Sequence, residues 1–252
     1  MPPITHCLPL TIFGNGVLRR LRSCSHACCA LWHILAGCPV ALDGHRYTWR
    51  HDSILGTLRK GIEQWWIDAK QYSIKAAACA RPIGFIRPGQ KPRSAFSPPS
   101  PQLITAQSHL AGANDWIFLF DLPETPLMFP PQIISSSLRP DIVIYSNTLK
   151  RCILADHVLT ASSLKLANNA SLQREIMDAG WTCALITFEV CIGARGYVLS
   201  GLRNFLNSLG IPKQRKSSIY ALCGQAALRA SYTIYLHHQN SHWPDMSPLV
   251  LV

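Results

Sequence analysis

The residues of this chain with the most chemistry to offer are two aspartates and a group of thiols. Asp141 opens DIVIY and Asp156 closes RCILAD, with fourteen residues between them. If the chain turns back at Thr148-Leu149, the two lie directly opposite each other in an antiparallel pair. Opposed residues share a face, with Cβ atoms roughly 5 Å apart. Two carboxylates so placed could hold Mg²⁺ through oxygen ligands. A metal there would lower the pKa of a bound water and stabilise a phosphorane-like transition state. The idea hangs on register, because a slip of one residue sends the pair to opposite faces. The plainer reading makes Asp141, after Pro140, a strand opener and Asp156 a turn former at a strand end.

The thiols come with a histidine. Cys24, Cys28, Cys29, His33 and Cys38 fall within CSHACCALWHILAGC. Zinc takes four soft or borderline ligands in a tetrahedron, and Cys24, Cys28 or Cys29, His33 and Cys38 supply a Cys-Cys-His-Cys set. The same stretch also reads as a short apolar helix whose thiols are merely buried. Downstream, RYTWRHDSIL interleaves Arg46, Trp49, Arg50 and His51 with Tyr47. Cations and aromatic rings in that pattern can grip phosphates and stack on bases. The plainer account makes Tyr47 and Trp49 core anchors for a helix that begins near Asp52 and buries Ile54, Leu55, Leu58 and Ile62.

The elements that must position these groups form two readable blocks. The strand-like stretches are Asn114–Leu122, Asp141–Tyr145, Arg151–Asp156 and Cys183–Val190, the second and third joined as a hairpin. Ser162 or Ser163 starts a helix carrying Leu164, Leu172 and Ile176, stopped by Gly180. Leu199, Leu202, Phe205, Leu206 and Leu209 recur at helical spacing before Gly210 and Pro212, and a last helix covers about 216–236. Gly193, Arg195 and Gly196 read as a tight strand-to-helix turn rather than a phosphate cradle. Ten of the eighteen prolines lie between Pro82 and Pro131, which makes the segment around 81–103 an extended connector. The expectation is a mixed α+β chain. Residues 1–80 carry the knuckle and the basic, aromatic helical segment, 81–107 a Pro-rich linker, 108–240 the sheet domain and 241–252 a tail.

Composition narrows the partners. Twenty-four Lys and Arg face thirteen Asp and Glu, a net charge of +11. The excess is spread along the chain, with 13 basic and 7 acidic residues over 1–137 and 11 and 6 over 138–252. Such a balance suits a polyanion, because neutralised phosphates release counterions. It also suits a solvated basic surface with no partner. No uncharged run approaches the ~18 apolar residues a membrane span needs. The start, MPPITHCLPLTIF, lacks a basic leader region and a long apolar core. The ten cysteines are therefore expected to be reduced thiols or metal ligands in an intracellular protein.

In order along the chain, the Cys-Cys-His-Cys knuckle, RYTWRHD, ANDW, LRPDIVIYS, AGW and GARGY resemble one family. It is the C-terminal region of non-LTR retrotransposons that carry a restriction-enzyme-like endonuclease behind their reverse transcriptase. The resemblance covers about residues 18–60 and 108–237, and RYTWRHD with RPDIVIYS are its specific motifs. It implies a small restriction-endonuclease-like mixed sheet flanked by helices and preceded by a helical zinc-knuckle segment. It implies structural Zn²⁺ on Cys24, Cys28 or Cys29, His33 and Cys38, and DNA engagement by Arg50 and His51. Asp141 matches the first metal-binding carboxylate of the family. Asp156 stands at the second, in ADHV rather than a Glu-Leu-Thr context, and Lys165 matches a Lys on the next helix. Asn169 stands where the family has Tyr, the stretch after Asp156 is shorter than in the family, and no Tyr-x-Asp-Asp motif occurs. The resemblance thus implies a degenerate Mg²⁺-dependent DNA-nicking fragment of a retrotransposon polyprotein. In an intact element it would serve target-primed reverse transcription in the nucleus, on DNA and element RNA. The alternative expectations are a non-catalytic nucleic-acid-binding remnant and a pseudogene product.

Overall fold

The computed structural model describes residues 31–36, 38–79, 108–157, 163–188, 191–192, 197–198 and 200–238. Its longest element is a single helix. After two short helices, α1 (Leu31–Ala36) and α2 (Pro39–Asp43), the chain turns through Gly44 and His45 into α3 (Arg46–Cys79). His45 has φ 54°, in the left-handed region, and its carbonyl accepts the amide of Trp49 at 3.0 Å. At 34 residues, α3 is about 50 Å long. It starts six residues before Asp52, so RYTWRH is helical from its first residue. Ile54, Leu55, Leu58, Ile62, Trp65, Trp66 and Ala69 are all buried along it. Their three- and four-residue spacing gives one apolar stripe.

That stripe packs on a sheet and on α6 (Lys213–Leu236). The sheet has four strands, β1 (Ile117–Phe120), β2 (Ile142–Ser146), β3 (Arg151–His157) and β4 (Thr182–Phe188), in the order β1-β2-β3-β4. The first two pairings are antiparallel and β3–β4 is parallel. A parallel neighbour needs a crossover, and α4 (Ser163–Asp178) supplies it. Gly180, at φ 83°, closes that helix before β4; a left-handed turn there costs glycine nothing and would strain a side chain. Beyond β4 lie a short antiparallel pair, β5 (Cys191–Ile192) with β6 (Tyr197–Val198), and then α5 (Ser200–Ser208). Gly193, Arg195 and Gly196 lie outside the described residues.

Alternation along the strands sorts the core onto two faces. Ile142, Ile144, Ile153 and Ala155 face α3, α5 and α6, where Leu202, Phe205, Leu206, Ile219 and Cys223 complete a large cluster. Val143, Tyr145, Cys152 and Leu154 face the other way, against Leu172 and Ile176 of α4 and Leu127, Phe129 and Ile133 of the β1–β2 connection. The result is a mixed α/β fold, a four-stranded mixed sheet flanked by helices. No described helix is long and apolar enough to cross a membrane.

Candidate functional site

The hairpin has the register that brings the aspartates together. Ile142 pairs with Ala155 and Ser146 with Arg151, leaving Asn147–Lys150 as the turn. Continuing that register by one residue sets Asp141 opposite Asp156. The turn is clamped from outside. The Asp115 carboxylate accepts from the Ser146 hydroxyl and from the amide and hydroxyl of Thr148, both at 2.9 Å. The Ser146 hydroxyl bond, the Thr148 amide and the Thr148 hydroxyl hold Asp115 down at a pKa of about 2 against an ordinary 3.8. Sequence reasoning passed Asp115 by. Its position two residues before a strand was the only signal, and nothing local connects it to a turn 31 residues on.

At the other end of the hairpin the two carboxylates are joined through the backbone. The Asp141 amide donates to Asp156 Oδ1 at 3.0 Å, and the Asp141 carbonyl accepts the Asp121 amide at 2.9 Å. Both side chains are buried, Asp156 almost completely. A third group arrives from α3. Nε2 of His51 lies 3.3 Å from Asp141 Oδ2, and Nδ1 lies 3.0 Å from Asp52 Oδ1. Burial alone would lower the His51 pKa. The hydrogen bonds to Asp141 and Asp52, with the charges of both carboxylates, outweigh it and raise the pKa from 6.5 to about 9. At neutral pH His51 is therefore an imidazolium that donates from both ring nitrogens. An Asp52–His51–Asp141 line thus runs from helix to sheet and ends beside Asp156. Asp52 was expected only as a helix starter.

Other expected contacts fall elsewhere. Arg46, Trp49 and Arg50 are 1%, 6% and 6% exposed. Arg46 donates to the His237 carbonyl at 2.7 Å. Arg50 reaches Ser231 Oγ at 3.4 Å and lies over the Tyr47 ring. Tyr47 itself takes the Cys38 amide at 3.0 Å and donates to the Ile34 carbonyl at 2.9 Å. Arg46 and Arg50 thus tie α3 to α6 and its end, and Tyr47 ties it to α1 and the start of α2. The cations on the surface are others, among them Lys60, Lys70, Lys150, Arg203, Lys213, Arg215, Lys216 and Arg229.

Of the candidate zinc ligands, His33 lies in α1 and Cys38 is buried at the start of α2. Cys24, Cys28 and Cys29 lie outside the described residues. Lys165 lies in the first turn of α4, and the described side chains of that helix begin beyond it. Asn169 is buried one turn further on, its Nδ2 without a hydrogen-bond partner. Among the described residues, no three His, Cys, Asp or Glu side chains gather as a metal-holding group. No family model matches the chain, and no curated protein or solved structure matches it.

Proposed function

We propose that the chain is the endonuclease-like C-terminal fragment of a non-LTR retrotransposon polyprotein, a degenerate Mg²⁺-dependent DNA-nicking domain with a zinc knuckle before it. One observation carries the catalytic half of this reading: two buried carboxylates stand at opposed positions of a hairpin end, with a histidine from another element on one of them. The donor set is all oxygen, which suits a hard cation. Asp141 and Asp156 would hold it. Mg²⁺ needs no closed protein cage, since one or two carboxylates with waters and substrate phosphates serve. A bound Mg²⁺ would lower the pKa of a coordinated water and neutralise charge on the phosphate.

The protein's own groups have separable tasks. Asp52 orients His51, and His51 fixes Asp141 and returns a positive charge to the acidic end of the sheet. Lys165, at the start of the following helix, would add a second positive charge or orient a water. Exposed cations on α5 and α6 suit the phosphate backbone.

The reading as a non-catalytic nucleic-acid-binding remnant has an observation of its own. Asp156 Oδ1 is taken by the Asp141 amide and Asp141 Oδ2 by His51. The acidic pair is thus already engaged in holding α3 on the sheet. Nicking of supercoiled plasmid by the whole chain with Mg²⁺ or Mn²⁺, beside an Asp141→Ala control, separates the two. Nicking that the variant loses supports the nuclease. A folded, DNA-binding protein that leaves the plasmid closed removes the catalytic half and keeps the remnant.

A further inference from the structure

Two thiols away from the acidic end face each other across the parallel strands. Cys152, at the start of β3, and Cys183, at the start of β4, are directly paired in register. Both lie on the sheet face covered by α4, beside Tyr145, Leu154 and Trp181. The Cys183 thiol is the strongest single influence on the Cys152 thiol. Both are free thiols, Cys152 buried and Cys183 half-exposed. Neighbouring strands lie about 4.8 Å apart, inside the Cα–Cα range of about 4.4–6.8 Å that a disulfide spans. Among the described residues β4 is the last strand of its sheet, so small adjustments of its start disturb no further described strand.

We infer that Cys152 and Cys183 form an oxidation site, a dithiol that low-molecular-weight disulfides convert to a single intramolecular cross-link. Cys183 is the reachable nucleophile. Its thiolate attacks one sulfur of the small disulfide and expels the other half as a thiolate, leaving a mixed disulfide on Cys183. Cys152 then loses its proton and attacks the Cys183 sulfur, expelling the second half. The two protein thiols lose two electrons and two protons in all, and the small disulfide is reduced to two thiols. The order follows from burial and contact. The neighbouring Cys183 thiol and then burial raise the Cys152 thiol above its ordinary pKa, so Cys152 is poorly suited to attack first. Once Cys183 is in the mixed disulfide, its sulfur carries no charge to repel a thiolate at Cys152. The cross-link would close a loop holding all of α4 and fasten β4 to β3. It needs neither metal nor nucleic acid, and it stands apart from the reading of the acidic site.

The test uses the whole reduced chain, freed of reductant and exposed to oxidised glutathione under native conditions. The reaction is quenched with acid, remaining thiols are alkylated, and unreduced digests are mapped by mass spectrometry. A peptide joining Cys152 to Cys183 should become the main disulfide product of either residue, and should lose that dominance when oxidation is carried out in urea. In Cys152→Ala, glutathione should instead accumulate on Cys183, because the thiol that releases it is gone. Three results in the unsubstituted native chain would overturn the inference: both thiols still alkylated after prolonged exposure, a persistent glutathione adduct on Cys183, or main pairing of either with another of the ten cysteines.

Discussion

Asp115 and Asp156 do related work at opposite ends of one hairpin, each carboxylate accepting a backbone amide that lacks a partner in the ladder. A buried amide left unpaired costs about 1–3 kcal/mol. Asp156→Ala should therefore lose about that much stability in urea denaturation, because the Asp141 amide loses its acceptor. Equal midpoints for variant and parent would mean water replaces the carboxylate at no cost. For Asp115 the dependence is on pH. Its carboxyl titrates at about 2 in the fold against an ordinary 3.8. A depressed pKa contributes stability above the unfolded value and loses it as pH falls through the folded one. Asp115→Asn should thus unfold earlier than the parent at neutral pH, with the gap shrinking as pH falls from 3.8 towards about 2. A gap that stays constant over that window would remove the charge from the account. The acidic pair was legible in the sequence, since turn length and strand alternation together fix which residues oppose. Asp115 and the contact of His51 with a residue ninety positions away were not. Both depend on how separate elements dock, and no local pattern encodes that.

At the scale of elements, the packing of α3 on α6 admits a direct test. Gly61 sits inside α3, where alanine would ordinarily gain about 1 kcal/mol of helix propensity. Here an added Cβ would lie 2.8 Å from Cγ1 of Ile219. Overpacking of that kind costs about 1–3 kcal/mol, so the clash should win. Gly61→Ala is expected to lower the unfolding midpoint, and Ile219→Ala in the same chain should relieve the contact while costing its own cavity. A Gly61→Ala variant more stable than the parent would mean the two helices can separate freely. The sequence showed α4, α5 and all four strands to within a few residues, because their apolar periods are bounded by turn residues such as Gly180 and Gly210. It misplaced the start of α3. Arg46 and Arg50 interrupt the apolar pattern with cations, and only α6 alongside shows that these long side chains bury their stems and bond inward. Leu172→Ala on the opposite face should cost about 2–5 kcal/mol, read from the same denaturation curves, and a loss well below that range would mean α4 closes over the gap.

For the whole molecule, charge is the property most open to measurement. Residues 200–238 hold Arg203, Lys213, Arg215, Lys216 and Arg229 and no Asp or Glu. If α5 and α6 carry phosphate contacts, duplex binding should weaken linearly in log–log form with salt, at about −0.9 per phosphate neutralised. Lys213→Gln with Lys216→Gln should then flatten the slope by about 2. An unchanged slope would move the interface to another face. A different constraint follows from α3 being unbroken. Each residue turns a helix by about 100°, so the direction of His51 relative to the stripe at Ile54, Leu55 and Leu58 is a matter of counting. Substitutions at outward positions such as Lys60 or Gln64 leave that count alone. A single codon inserted between His51 and Ile54 would swing the imidazole more than a quarter-circle from Asp141, or carry the stripe off α6 if the imidazole stayed. This stretch can drift in spelling and keep its geometry, but it cannot change in length.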